Sequence, residues 1–125
     1  MDAPGFIPSL IGAPLCARGG SVAGTVEDLF VDAASHHPVW LLVRLRGEVP
    51  RYTFVPAQRM ASRANAVVVD FDEAVLYDAP VRLAAPSACP REHVAALIRH
   101  YGVRVPSGET RPLRATPAQI SRVAA

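Results

Sequence analysis

Four sets of side chains in this sequence are of the types that chemistry uses. His36 and His37 are adjacent, while His93 and His100 stand seven apart with Glu92 beside the first; imidazoles bind metals and titrate near neutral pH. Asp70, Asp72, Glu73 and Asp78 cluster in one stretch, with Asp28 and Asp32 in another, and paired carboxylates perform acid/base work or hold hard cations. Arg44, Arg46, Arg51, Arg59 and Arg63 follow one another closely, with Tyr52 and Phe54 among them. Such a mixture pairs phosphates and stacks bases. Cys16 and Cys89 are the only thiols.

None of these sets has the companions a reaction needs. The cysteines belong to no Cys-x-x-Cys pair or zinc-ligand spacing and read as small, reduced and mostly buried. Adjacent histidines in a connection need further ligands, and no spacing in the chain supplies them, so they read as an exposed turn. His93 and His100 share a helical flank and read as polar residues bordering an apolar stripe. The carboxylates lack a nucleophile motif or a glycine-rich phosphate loop and read as solvated turn residues. The expectation is therefore no catalytic residue, no metal, no cofactor and no enzymatic activity. The arginine set gives nucleic-acid binding a firmer basis, but a net charge of only +2 favours a solvated arginine-rich face or an interface with an acidic protein.

The elements that position these residues follow from the apolar pattern. Pro14 to Arg18 precedes the turn signal Gly19-Gly20, and Val22 to Val31 is rich in branched and aromatic residues, which suit a strand. Val22, Gly24 and Val26 share one phase of a two-residue period, whereas Leu29 and Val31 fall in the other. A bulge near Glu27-Asp28 reconciles them. The strongest strand signal is Val39 to Arg46, where Val39, Leu41, Val43 and Leu45 form the predicted core face and Trp40, Leu42, Arg44 and Arg46 the opposite one. Gly47 to Pro50 turns the chain into a strand from Arg51 to Val55, and another spans Ala66 to Phe71. Short strands without long intervening helices predict a small antiparallel barrel.

The C-terminal part of the chain differs. Pro90 and Glu92 mark a helix start, Val94, Leu97, Ile98 and Tyr101 recur at helical spacing, and Gly102 supplies a stop. Thr116-Pro117-Ala118-Gln119 carries a second start signature. Residues 86–125 hold six Arg and two Glu, whereas residues 1–85 hold seven Arg and nine acids: a basic tail on a mildly acidic body. Half of the 125 residues are hydrophobic, which argues against disorder. No apolar run is long enough for a membrane helix or signal peptide, so the expected location is cytoplasmic, including peripherally at the cytoplasmic face of a membrane.

The order and spacing of several pieces together resemble the PRC-barrel family: Gly12, Leu15 and Gly20, then Gly24 to Asp32, the run Val39 to Leu45, Phe54-Val55-Pro56, Val67-Val68-Val69 and Ala79-Pro80. The resemblance covers residues 8–85, with residues 86–125 as a basic helical extension. It implies a mainly β fold, a small curved barrel of about six strands, similar to the cytoplasmic domain of the photosynthetic reaction-centre H subunit and to the C-terminal domain of the ribosome maturation factor RimM. In both relatives the barrel docks onto other proteins. The implied function is a non-enzymatic adaptor, homodimeric, that docks on a larger assembly, either a membrane complex or a ribosomal precursor. The alternative is an RNA-associated maturation factor.

Trp40, Leu42, Arg44 and Arg46 are the expected contact stripe, since Trp and Arg are enriched at binding hot spots. The apolar face Val94, Leu97, Ile98 and Tyr101 either covers that stripe within the chain or contributes to an interface with a second subunit or another protein.

Overall fold

A computed structural model describes residues 10–84, 86, 91–106 and 108–113. These form seven strands and two helices: β1 (Pro14–Cys16), β2 (Val22–Asp32), β3 (Pro38–Leu45), β4 (Arg51–Pro56), β5 (Ala61–Arg63), β6 (Ala66–Val68), α1 (Glu73–Tyr77), α2 (Arg91–Tyr101) and β7 (Thr110–Pro112). The expected helix after Thr116 and the Cys89-Pro90 entry to α2 lie outside the described residues.

The sheet is organised around β2. One edge of this strand pairs with β3 over most of its length; the other pairs with β1 at Pro14↔Thr25 to Cys16↔Val22 and with β7 at Phe30↔Pro112 to Asp32↔Thr110. The register against β3 shifts between Val26 and Asp28, which is the bulge that the phase change at Glu27-Asp28 demands. It lets Val26 and Leu29 both turn inward, and both are fully buried.

The strand path is β4-β3-β2-β1-β6-β5, with β7 joined to β2 beside it. All described pairs are antiparallel except β1 with β6, which runs parallel. Barrel closure by hydrogen bonding is not seen: β4 and β5, the two ends of the path, do not pair with each other.

Helix α2 spans the open side by packing. Near its start the His93 ring meets Phe54 on β4, and at its end the Tyr101 ring meets Phe71 just beyond β6, centroids 4.8 Å apart. His100 Nε2 hydrogen-bonds the Val75 carbonyl in α1 at 2.8 Å, and Gln58 donates to the carbonyl of Arg104. Gly102 ends the helix at φ 66°, its N–H bonded to the Ile98 carbonyl, the left-handed termination for which glycine carries no steric penalty. On the β4 edge itself, Tyr52 exchanges both backbone hydrogen bonds with Arg82. An edge that would otherwise offer unpaired amides is thereby partly occupied.

Candidate docking surface

Residues directly opposite one another in a ladder share a face of the sheet. Leu29, Leu41 and Val55 lie in one such row, and Val26, Val43 and Thr53 in another; all six are buried and form the inner face. The outer face is built from the rows Phe30–Trp40–Pro56, Asp28–Leu42–Phe54 and Thr25–Arg44–Tyr52.

The outer face divides into two regions. Its apolar part is covered within the chain: Trp40 is 1% exposed and Leu42 2%. Phe54 stands edge-on to Phe30 at 5.0 Å and to Trp40 at 6.4 Å between centroids, and His93 closes over it at 5.7 Å. The strand phase read from the sequence is therefore kept, but Trp40 and Leu42 lie beneath a layer of the protein's own side chains. On α2, Leu97 and Tyr101 are buried and Val94 and Ile98 half-buried against the core. The apolar face of this helix thus packs on its own sheet.

The polar part of the outer face is open. Arg44 and Arg46 are exposed. Arg46 is partly committed, its guanidinium donating to the Val22 carbonyl at 3.2 Å; the Arg44 guanidinium makes no hydrogen bond or ion pair among the described residues. Among the described residues, the exposed large apolar ones are Leu83 (72%), Val49, Val22 and Val81, and two of these flank Arg82, the edge partner of Tyr52. No local pattern in the sequence marks Arg82, because its place beside Tyr52 comes from an isolated bridge between distant parts of the chain.

The other polar sets have structural partners. Arg18 donates to the Asp70 carboxylate at 3.0 Å, to Asp72 at 3.3 Å and to the Asp70 carbonyl at 2.8 Å, with Arg59 adding a longer contact to Asp70. These guanidinium contacts hold the Asp70 carboxyl below its ordinary range. Ser21 donates to Glu73, so the turn after β1 is tied to the entry of α1. Asp32 accepts from the Ser35 and Ala34 amides at 2.8 and 3.2 Å, and chiefly the Ser35 bonds lower its pKa. It shapes the turn carrying the exposed His36 and His37. No group of three or more His, Cys, Asp or Glu side chains suited to a metal occurs among the described residues. No helix among them is long and apolar enough to cross a membrane.

A family-wide sequence profile of the PRC-barrel domain matches residues 5–76. The chain belongs to the PRC-barrel domain family. The match runs from before β1 into α1, so this PRC-barrel domain carries α2 and β7 beyond the matched region. No curated protein matches the chain significantly.

Proposed function

We propose that this PRC-barrel protein is a non-enzymatic adaptor that docks on a larger protein assembly, with a membrane complex approached from its cytoplasmic side as the first candidate. The observation that carries this reading is the division of the outer face: its apolar rows are buried within the chain, with His93 of α2 over Phe54, and its polar rows are left open. Arg44 stands unpaired there, and Val81 and Leu83 are exposed beside Arg82. Arginine beside exposed apolar groups is the composition of a contact surface. Family membership supports it, since PRC-barrel domains occur in protein-protein and assembly contexts. The homodimer belongs to the same proposal.

The RNA-associated alternative rests on the exposed arginines of β3 and the following hairpin. It is weakened by Phe54, which is fully buried and so presents no face to a base. Affinity capture of the tagged chain from its own cells, with and without nuclease, tests the two. Nuclease-resistant recovery of a stoichiometric multisubunit assembly supports docking; a chain recovered alone, or with partners that nuclease releases, overturns it. Light scattering at two concentrations tests the dimer, which an unchanged monomer mass refutes.

A further inference from the structure

We propose that Arg44, Tyr52 and Arg82 form a recognition row for an acidic, extended segment of the docking partner. The proposal rests on the docking reading and names the chemistry of what is docked. Arg44 on β3 lies directly opposite Tyr52 on β4, and Tyr52 directly opposite Arg82. Because the N–H and C=O of Tyr52 both bond to Arg82, at 2.7 and 2.8 Å, they point away from β3. Arg44 and Tyr52 are therefore a non-hydrogen-bonded pair, the kind that brings opposite side chains closest. Two arginines on one face thus flank a half-buried tyrosine, their backbones separated by two strand spacings, about 10 Å.

Neither guanidinium has an ion-pair partner among the described residues. Both side chains are exposed and free of carboxylates, whereas Arg18 and Arg59, likewise exposed, are engaged with Asp70. Alternate residues of an extended segment place two side chains on one face about 7 Å apart, within reach of two long, flexible arginines. Tyr52 between them offers a hydroxyl and a ring edge. A nucleic-acid strand fits less well: it needs successive stacking platforms, and Tyr52 is the one aromatic in this row.

The probe is a fluorescein-labelled hexaglutamate peptide, titrated by anisotropy against the full chain at low salt, with an oligouridylate of similar charge as comparator. The expected result is saturable peptide binding that weakens about tenfold or more in Arg44→Glu and in Arg82→Glu, and does not weaken in Arg63→Glu on exposed β5. Arg44→Gln and Arg82→Gln, with melting curves matching the wild type, give the same order of loss without charge reversal. Equal loss in Arg63→Glu, no binding at all, or tighter binding of the oligouridylate overturns the proposal. Capture of the cellular assembly by wild type and by the Arg44→Gln/Arg82→Gln double variant separates the two readings. Equal capture by both leaves docking standing and removes this row from it; row-dependent peptide binding with no assembly captured by either supports the row and removes the adaptor reading.

Discussion

The imidazole of His93 lies edge-to-face on the ring of Phe54, centroids 5.7 Å apart at 69°, with its Nε2 buried and without a hydrogen-bond partner. This contact joins the helix beyond the family-matched region to the outer face of the sheet. Phe54 in turn meets both Phe30 and Trp40, so the placement of α2 and the sealing of the apolar rows are one packing arrangement.

A pH dependence follows from that contact. Burial, and secondarily the charge of Arg82, lower the pKa of His93 from its ordinary 6.5. The folded protein therefore holds this imidazole neutral at pH values where the unfolded chain already protonates it. The associated stability is present above about pH 6.5 and is lost as the pH falls through that value towards the folded pKa. Wild type is expected to lose melting temperature between about pH 7.5 and 5.5, and His93→Phe, which keeps an aromatic contact, to lose less. Parallel melting curves for the two proteins would show that the burial of His93 carries no linkage.

The sole tryptophan, Trp40, gives a direct readout of the sealed rows. It is buried among Phe54 and its neighbours, so native fluorescence is expected to be blue-shifted and to move red on unfolding. Trp40→Phe should fold with a modest loss. Phe54→Ala, which empties the centre of the aromatic cluster, should cost about 3–5 kcal/mol in urea unfolding. A loss below about 1 kcal/mol in Phe54→Ala would mean that the cluster is not part of the cooperative core.

These rows also show what the sequence could reveal and what it could not. The two-residue period of β3 placed Trp40 and Leu42 opposite the core face, and the ladder places them there. Period alone cannot say what lies above a face, because cover such as His93 on Phe54 comes from α2, far along the chain. The bulge at Glu27-Asp28 was legible because a phase change within one apolar run has few other resolutions, and Gly102 marked a helix end by its type. Three short elements carried no signal. In β5 all three residues are exposed, α1 is a helix of five residues, and β7 is a proline-containing edge held by three pairs to β2. Each is specified by partners rather than by its own pattern. The row Arg44–Tyr52–Arg82 was half legible for the same reason: Arg44 and Tyr52 lie on adjacent strands, whereas Arg82 joins them only through the fold.

Gly24 provides a test of how closely β2 and β3 approach. A Cβ there would run into the Arg44 carbonyl on the neighbouring strand and press on Val43. Neither atom moves easily, since one is ladder backbone and the other lies in the core. Gly24→Ala is expected to lose at least about 3 kcal/mol, at the upper end of overpacking costs. Gly20→Ala, in open space at φ 100°, should lose about 1–2 kcal/mol from backbone strain alone. Equal losses at the two positions in urea titrations would contradict the close approach.

Tyr101 separates the contribution of a ring from that of a hydroxyl. Its ring packs on Phe71, whereas its hydroxyl is buried beside Thr53 without a hydrogen bond of ordinary geometry. The Thr53 hydroxyl donates instead to the Pro80 carbonyl at 2.6 Å. Burial raises the phenol pKa, with Thr53 opposing the shift, so the group stays neutral throughout the working pH range. A buried hydroxyl without a partner costs about 1–3 kcal/mol of lost hydration, and deleting it removes that cost while keeping the ring. Tyr101→Phe should accordingly be as stable as wild type or more so, whereas Tyr101→Ala should lose about 3–5 kcal/mol through the cavity left against Phe71. If Tyr101→Phe instead loses more than about 1 kcal/mol in urea unfolding, the hydroxyl makes a net favourable bond to Thr53, and the end of α2 is held by polar contact as well as by packing.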